Sequence, residues 1–346
     1  MTKESDDIHV MMDPNPDDAP ETIRMLVSSL PANVKVTGFR WKSAFRGRYD
    51  VLHLHWPELR ASAPGRVRRS AYPTMFLALT LLNLMRRKPT VWTVHNVEPH
   101  ERLSPLSRLA LGTWERHVSV RVFMYESARF PDQRTSDLVI RRGDYLPYLE
   151  ALAIDAAAVE PAGILNFGLI RPYKGIETLL DSYEALPESA RPALFVCGSP
   201  EVPDYAEAIA RRGAEIPGVV VELGHVPDRE LVDRIRRARL IVLPYRKIYN
   251  SGTVLLALTL NRHVLVPDSP TMRELREEVG GDWVMLFSEL TPEALQEALT
   301  QAQSAAATST PPNLTLRDWK DVGESYAALY ANPFENTTVT RDKLAS

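Results

Sequence analysis

Two cations and a glycine lie close together in the stretch Asn166–Gly175, which reads NFGLIRPYKG. An apolar run is followed by Gly168, and Arg171 and Lys174 stand just before a helical pattern that begins near Ile176. Backbone N–H groups at a helix start and cationic side chains both bind phosphate groups. The stretch therefore predicts a site for a phosphate-bearing ligand such as a nucleotide diphosphate. A surface turn with two solvated cations is the alternative interpretation.

A second candidate anion site lies between Arg234 and Pro267, a segment with seven lysine or arginine residues and no acid. Just after a predicted strand, a helical pattern in this segment opens with Tyr249, Asn250, Ser251, Gly252 and Thr253. Hydroxyl groups, unpaired backbone N–H groups and the positive end of the helix dipole would meet there. We expect an anion to bind at this point, and the alternative is that Ser251 is an ordinary helix cap.

Histidines follow two predicted strands in the first half of the chain. The strand candidate Val51–His55 ends in His55 and Trp56, and the strand candidate Thr90–Val94 is followed by His95. In a parallel sheet, ligands bind at the carboxyl ends of the strands. The pattern therefore predicts a functional role for His95, whereas His55 and Trp56 form either a sugar-stacking or a packing element.

Strand and helix patterns alternate along the chain, which predicts an α/β fold of two doubly wound, Rossmann-like domains. The predicted strands of the first half are Ile8–Met12, Val34–Phe39, Val51–His55, Thr90–Val94, Arg121–Tyr125 and Leu138–Ile140. Five follow in the second half: Ile164–Phe167, Ala193–Cys197, Val219–Leu223, Leu240–Leu243 and Val264–Val266. We expect domains over 1–150 and 151–315, a helix over 316–330 that crosses back to the first domain, and a flexible tail over 331–346.

Bulk composition narrows the class of protein. The chain has 346 residues, and its 44 acids and 41 bases leave a net charge of −3, so nucleic acid is not an expected partner. Its one cysteine, Cys197, allows no intrachain disulfide. No signal peptide and no apolar run of about 18 residues occurs, so we expect a cytoplasmic protein with at most peripheral membrane contact. No G-x-G-x-x-G follows a strand, which disfavours a dehydrogenase.

The segment Pro64–Pro89 contains six basic residues, no acid and the apolar block Met75–Leu82. A helix that is apolar nearly all round usually belongs to the core. The alternative is a helix whose basic ends and apolar flank rest on an anionic membrane surface. That alternative would suit an acceptor anchored in a membrane.

The phosphate turn at Arg171 and Lys174, the helix start at Ser251 and the two doubly wound halves resemble the GT-B glycosyltransferases, over most of the chain to about Tyr330. The likeness is to the large retaining family of bacterial mannosyl- and glucosyltransferases, and to an exopolysaccharide mannosyltransferase family sharing the "TVHN…PHE" stretch. It implies two facing domains with a cleft between them. It also implies transfer of a hexose from a nucleotide-diphosphate sugar, GDP-mannose before a UDP-hexose, to a saccharide or lipid-linked acceptor.

The same resemblance assigns residues to roles. His95 would face the transferred sugar, and an inverting reaction would need a base, for which His95 and Glu98 lead. Acceptor contacts are expected from Asp13, His55, Trp56 and His100. No Asp-x-Asp occurs, so we expect neither a metal nor a cofactor beyond the sugar nucleotide. The implied donor-binding residues are Gly168, Arg171, Lys174, Gly198, His225, Val226, Tyr249, Asn250, Ser251, Gly252 and Thr253.

One departure from the family matters. The retaining enzymes carry two glutamates eight positions apart in the segment that matches Leu243–Leu258, and here neither is present, with Leu256 at the second position. Two other classes therefore stay open. A nucleotide-sugar 2-epimerase would share the architecture without needing an acceptor, and a catalytically silent partner subunit would explain the missing glutamates.

Overall fold

The computed structural model describes residues 7–62, 68–95, 103–153, 162–305 and 310–334, and the chain divides into two compact units. The first unit comprises the chain up to Gly143 together with the residues from Leu316 onward. The second unit comprises Asp144–Thr315. Each unit holds one six-stranded parallel sheet with helices. The predicted α/β class with two Rossmann-like domains is confirmed.

The sheet of the first unit has the strand order β2-β1-β3-β4-β5-β6. Its strands are β1 (Ile8–Asp13), β2 (Val34–Gly38), β3 (Val51–Leu54), β4 (Thr90–Thr93), β5 (Val120–Phe123) and β6 (Leu138–Val139). Its helices are α1 (Glu21–Ser29), α2 (Trp41–Arg46), α3 (Pro57–Ala61), α4 (Arg68–Met85), α5 (Pro105–His117) and, from the chain's end, α13 (Trp319–Ala331).

The sheet of the second unit has the order β12-β11-β10-β7-β8-β9. Its strands are β7 (Ile164–Phe167), β8 (Leu194–Gly198), β9 (Val219–Leu223), β10 (Leu240–Val242), β11 (His263–Pro267) and β12 (Val284–Phe287). Its helices are α6 (Leu146–Ala151), α7 (Ile176–Glu184), α8 (Pro203–Ala214), α9 (Asp228–Arg237), α10 (Gly252–Thr259), α11 (Pro270–Val279) and α12 (Pro292–Ala305).

The central strands are apolar runs because helices cover both faces of a parallel sheet. Every residue of β3, β4, β5, β7 and β10 is buried. Hydrogen-bonded parallel pairing then brings the carboxyl ends of these strands to one edge in each unit. The side chains that follow the strands are thereby placed next to one another.

The structure differs from the sequence prediction at two places. The second sheet has β12 in addition to the five predicted strands. The first unit ends at Gly143 rather than at residue 150, since the N–H of Tyr145 already donates to Thr259 Oγ1 at 3.2 Å in the second unit. Helix α13 packs against α1 and β1. Of the tail expected over 331–346, residues 335–346 lie outside the described residues.

Close contact between α13 and α1 depends on a glycine. A Cβ added at Gly323 would lie 2.1 Å from the carbonyl oxygen of Ser29, at the end of α1. We expect Gly323→Ala to lower the free energy of unfolding by about 1 to 3 kcal/mol, because the added methyl group forces the helices apart. Urea denaturation measures the change.

A matched control is Gly112→Ala in α5, where an added Cβ would meet nothing within 4 Å. There the better helix propensity of alanine should raise the free energy of unfolding by about 0.5 to 1 kcal/mol. Equal stabilisation by both substitutions would contradict the packing of α13 on α1.

Candidate functional site

A cluster of polar groups lies at the point where the winding of the second sheet reverses. The chain proceeds from β7 through β8 and β9 on one side and then returns to β10 on the other side of β7. Ligands of doubly wound folds bind at such a switch point, at the carboxyl ends of the strands. The residues gathered there are Gly168 and Lys174 after β7, and Tyr245, Ser251 and Thr253 after β10, which we call the lysine cluster.

Glycine backbone forms one wall of the lysine cluster. Gly168 has φ 116° and Gly198 has φ 152°, both conformations that favour glycine. A Cβ at Gly168 would lie 3.8 Å from Thr253 Oγ1 and 3.9 Å from Lys174 Nζ, and a Cβ at Gly198 would lie 1.7 Å from the Gly168 carbonyl oxygen. The two glycines therefore let the β7 and β8 turns approach each other and leave room beside the lysine.

Lys174 is the buried cation of the lysine cluster. Its side chain is 9% exposed, and Nζ donates to the Tyr245 hydroxyl at 2.5 Å while lying 3.7 Å from the centre of that ring. Burial lowers the pKa of Lys174 to about 8. Burial also raises the pKa of Tyr245 to about 12, so the phenol stays neutral. Among its described contacts, Lys174 has no carboxylate that would balance its charge. A bound anion would therefore favour the charged form of Lys174.

The start of α10 supplies further donors. Ser251 is the N-cap and its Oγ accepts from the N–H of Val254 at 3.3 Å. The side chains of Ser251 and Thr253 also hydrogen-bond with the Tyr245 hydroxyl. Ser251 is therefore a helix cap, and the positive end of the α10 dipole lies beside Lys174. The lysine cluster combines a cation, hydroxyl groups and a helix start, which is the chemistry of a phosphate site.

Arg171, the other predicted phosphate ligand, is paired with an acid in this structure. Its guanidinium forms an ion pair with Glu201, which follows β8. The side chain of Arg171 is 27% exposed. It must leave Glu201, or share it, in order to hold a phosphate.

The segment Arg234–Pro267 carries less unbalanced positive charge in the structure than its sequence suggests. Arg234 pairs with Glu222 and Glu230, and Arg237 pairs with Asp233. These acids lie before the segment in the chain and were not counted in the sequence prediction. The attraction for an anion is therefore concentrated at the start of α10 rather than spread along the segment.

The remaining predicted donor contacts lie at the same edge of the second sheet. His225 is exposed in the turn after β9, and its neighbour Val226 is buried. Tyr249 and Asn250 are half-buried in the segment that leads to α10, together with Gly252 at its start. The structure brings Gly168, Gly198, Lys174, Ser251 and Thr253 together.

A histidine cluster lies at the carboxyl edge of the first sheet. His55 follows β3 and His95 follows β4, and their rings meet with His55 Nδ1 at 2.9 Å from His95 Nε2. His53 stacks beneath them, with its ring centre 4.3 Å from that of His55. Trp56 stacks on His95 at 4.4 Å between ring centres. His55 and His95 thus follow neighbouring strands, and the structure adds the contact between their rings.

Two tyrosines of α13 complete the histidine cluster. His53 Nδ1 lies 2.7 Å from the Tyr330 hydroxyl, and His53 Nε2 lies 2.8 Å from Thr93 Oγ1. Thr93 Oγ1 in turn lies 3.0 Å from the Tyr326 hydroxyl. His53, Tyr326 and Tyr330 were not predicted as site residues, although the two tyrosines stand four positions apart and so share a helix face.

Burial keeps these imidazoles neutral. It lowers the pKa of His53 to about 3 and lowers the pKa values of His55 and His95 well below the ordinary value. The Arg142 guanidinium lowers both of the latter pKa values further. A neutral imidazole has one ring nitrogen that donates and one that accepts a hydrogen bond, so each ring can do both.

The other predicted residues of the first unit differ in their surroundings. Asp13 is buried and forms a two-pronged ion pair with Arg60, whose Nε lies 2.7 Å from Asp13 Oδ2. That pairing makes Asp13 a structural carboxylate rather than an available base. Glu98 and His100 lie outside the described residues. Within the described residues, no group of His, Cys, Asp and Glu side chains is arranged to hold a metal ion.

Comparison with known proteins decides the family. A GDP-mannose:glycolipid 4-beta-D-mannosyltransferase of Xanthomonas campestris pv. campestris is 32% identical over 308 residues, which covers 89% of this chain and 87% of that protein. A second sequence of the same name and species matches to the same extent. This chain belongs to their glycosyltransferase family. No family model matches the chain.

Solved structures confirm the fold of this glycosyltransferase. Anabaena HepE, solved in complex with UDP, has a TM-score of 0.58 at 13% identity and covers 97% of this chain and 98% of its own. Sucrose-phosphate synthase from Thermosynechococcus elongatus has a TM-score of 0.62 at 12% identity and covers 94% and 99%. At such low identity the likeness establishes the GT-B architecture alone. The expected GT-B glycosyltransferase is confirmed.

The positions of the two missing glutamates are part of the core. Leu256 is 8% exposed within α10, and Ile248, eight positions earlier, is 6% exposed. Two buried aliphatic side chains offer a bound sugar no hydrogen bond. The polar contacts of the lysine cluster therefore come from Lys174, Tyr245 and the start of α10.

The neutral histidines predict a pH-dependent stability. Each has a folded-state pKa below its unfolded value of about 6.5, so the unfolded chain binds more protons as the pH falls. The free energy of unfolding should therefore fall below about pH 6.5, by about 1.4 kcal/mol per pH unit for each of His53, His55 and His95. Urea denaturation between pH 7.5 and pH 5 measures the slope.

Removing one imidazole tests the assignment. His55→Asn should reduce the slope by about 1.4 kcal/mol per pH unit, whereas His225→Asn, at an exposed position, should leave it unchanged. A stability that stays flat over this pH range would show that the histidines are not held neutral.

Proposed function

We propose that this glycosyltransferase transfers mannose from GDP-mannose to a glycolipid, with inversion at the anomeric carbon. The observation that carries the proposal is the lysine cluster, in which a buried ammonium group, two hydroxyl groups and a helix start converge beside a glycine wall. The mannosyltransferase relatives, whose name states this donor and a glycolipid acceptor, support the choice of substrates.

The lysine cluster would hold the diphosphate of the donor. Lys174 would neutralise one phosphate, and the backbone N–H groups of Gly252 and Thr253 would donate to it at the start of α10. Arg171 would exchange its carboxylate partner Glu201 for a phosphate oxygen. These groups would stabilise the diphosphate more strongly as negative charge develops on it in the transition state. They would thereby lower the barrier to transfer. We propose that no metal ion and no cofactor take part.

Stereochemistry follows from donor and product. Mannose is α-linked in GDP-mannose, and the relatives are named for a β-linked product, so the bond to the diphosphate would be replaced from the opposite face. A single inverting displacement needs a base for the acceptor hydroxyl but no carboxylate near the leaving group. The aliphatic residues at Ile248 and Leu256 fit such a reaction.

The histidine cluster is the proposed site of that base. His95 would accept the proton of the acceptor hydroxyl, and its Nε2 lies 2.9 Å from His55 Nδ1. The new bond forms between that oxygen and the anomeric carbon as the bond to the diphosphate breaks. His55 is then a positioning residue for His95, and Trp56 offers a face for stacking. Glu98 remains the alternative base.

The acceptor would be reached at a membrane surface. Leu81, Leu84 and Met85 at the end of α4 are exposed by 45%, 51% and 75%, and Arg86 and Arg87 follow them. Exposed apolar side chains next to cations are typical of proteins that rest on anionic membranes. No helix among the described residues is long and apolar enough to cross a membrane. The buried thiol of Cys197 fits a cytoplasmic location.

Transfer is tested with radiolabelled GDP-mannose and a glycolipid acceptor. We expect label to enter the lipid-extractable fraction in a β-linkage, with no change on addition of EDTA. Lys174→Ala should lower kcat/KM roughly 100-fold, as removal of one stabilising group at a leaving anion usually does.

Binding separates the donor site from the chemistry. GDP should raise the melting temperature of the wild type more than UDP does, and Lys174→Ala should lose most of that rise, whereas His95→Asn should keep it. A changed sugar still attached to its nucleotide would indicate an epimerase instead. No stabilisation by any nucleotide diphosphate would indicate a silent homologue.

Membrane contact is tested by sedimentation with vesicles. We expect the protein to sediment with vesicles that contain phosphatidylglycerol and to stay in solution with phosphatidylcholine alone, because each cation near the surface contributes about 1 kcal/mol. Replacing Leu84 and Met85 by serine should weaken the binding. Leu146→Ser, at an equally exposed leucine of the second unit, is the control and should have no effect. Equal binding to both kinds of vesicle would contradict the proposal.

A further inference from the structure

A pocket of the first unit lies at the amino-terminal edge of its sheet, opposite the edge that carries the histidine cluster. Its volume is about 330 Å³, and it is formed by the ends of α4 and α5, the starts of β4 and β5, and Phe334 beyond α13. Pockets of this size hold small ligands. None of the predicted site residues lines it, so it is separate from the proposed chemistry.

Two buried hydrogen-bond donors in this pocket lack partners. Asn83 and Trp114 are 2% and 1% exposed, and neither Asn83 Nδ2 nor Trp114 Nε1 has a hydrogen-bond partner within the described part of the chain. The Tyr49 hydroxyl donates to Asn83 Oδ1 at 2.5 Å, which turns the amide nitrogen away from Tyr49. Buried donors are nearly always paired in folded proteins. Two unpaired donors that line one pocket indicate that a ligand with acceptor atoms completes them.

Two hydroxyl groups on the pocket wall are also able to donate. The N–H of Ser119 donates to Thr90 Oγ1 and the N–H of Thr90 donates to Ser119 Oγ, both at 3.1 Å. The two hydroxyl oxygens also lie 3.5 Å apart, so one of them donates to the other and only one hydrogen is left to donate elsewhere. Both residues line the pocket. The wall therefore presents donors from Asn83, Trp114 and one of these two hydroxyl groups.

The charge of the pocket is positive. Arg87 and Lys88 line it, and no aspartate or glutamate is among its described lining residues. The nearest acid to Lys88 is Asp50, whose Oδ1 lies 3.9 Å from Nζ, and Lys88 also donates to the Tyr49 carbonyl oxygen. A group that accepts several hydrogen bonds and carries negative charge matches these surroundings, and a phosphate does both.

The ends of α4 and α5 point their negative dipole ends toward this edge, which opposes an anion. Their last carbonyl groups are already occupied. Those of Leu82, Asn83 and Leu84 accept from the N–H groups of Arg86, Lys88 and Arg87, and that of Trp114 accepts from Val118. The dipole ends are thus partly neutralised, and the cations that follow α4 face the same space.

We propose that this pocket binds the phosphate group of an amphiphile, with the phosphate on Asn83 and Trp114 and the apolar chain along Leu84 and Phe334. These two side chains are 51% and 69% exposed at the pocket, so an apolar chain would cover them. The inference deepens the membrane contact proposed for α4, because it assigns a specific headgroup site beside the exposed leucines.

The indole N–H of Trp114 reports on the pocket directly. In protein labelled at its tryptophan indole nitrogens, the Trp114 resonance is identified by its loss in Trp114→Phe. Addition of glycerol phosphate should move this resonance to a position typical of a hydrogen-bonded indole, in a saturable way. Repeating the titration in Lys174→Ala separates the effect from phosphate binding at the lysine cluster.

Variants test the two kinds of contact. Asn83→Asp keeps the acceptor for Tyr49 but removes the donor and adds a negative charge, so it should weaken binding by about tenfold or more. Since a charge at a buried position can unfold the protein, Arg87→Gln at an exposed position is the second variant and should weaken binding several-fold. Lys35→Gln, which removes the same charge from exposed strand β2, should leave it unchanged.

The source of the phosphate is distinguished by the probe. Tighter binding of a short-chain phosphatidylglycerol than of glycerol phosphate supports an amphiphile, whereas equal binding of inorganic phosphate and the lipid would overturn that part. Absence of any movement of the Trp114 resonance would reject the pocket as a phosphate site. If vesicle binding then persists and still depends on Leu84 and Met85, the membrane contact stands without it.

Discussion

Parallel strand pairing is the constraint on which both sites depend. In each sheet the chain winds outward from the first strand in one direction and then returns to its other side, between β1 and β3 in the first unit and between β7 and β10 in the second. The helices that follow neighbouring strands therefore diverge, and the turns that precede them leave an opening. Both candidate sites occupy carboxyl ends of strands at or next to such an opening.

The side chains at these openings differ in charge between the two units. In the second unit, burial without a carboxylate partner lowers the pKa of Lys174 to about 8, so a bound anion gains an interaction that the empty protein lacks. In the first unit, burial keeps three imidazoles uncharged, and hydrogen bonds to Thr93 and Tyr330 fix the innermost ring. One opening thus holds a buried cation, while the other holds neutral rings that donate and accept hydrogen bonds.

Helix α13 links the end of the chain to the histidine cluster. Its tyrosines hydrogen-bond with His53 and Thr93, and Gly323 allows its close approach to α1. Substitutions in this helix should therefore alter the histidines as well as the stability of the first unit. The same unit uses its other edge differently, since α4 and α5 end there with cations and unpaired donors around a pocket.

The sequence by itself determined the alternation of strands and helices, the turn that carries Gly168 and Lys174, and the strand-end histidines. These features are local, because burial of both sheet faces and the helix start each impose a pattern on consecutive residues. The resemblance carried by those motifs also indicated the family that the mannosyltransferase relatives confirm.

Only the tertiary structure decided the partners of those residues. Tyr245 reaches Lys174 from β10, Glu201 neutralises Arg171 from β8, and Tyr330 reaches His53 from the far end of the chain. Strand β12 was missed although Val284–Phe287 is apolar at every position. Contacts between residues far apart in sequence depend on strand order and helix docking, and no pattern of consecutive residues encodes either of them.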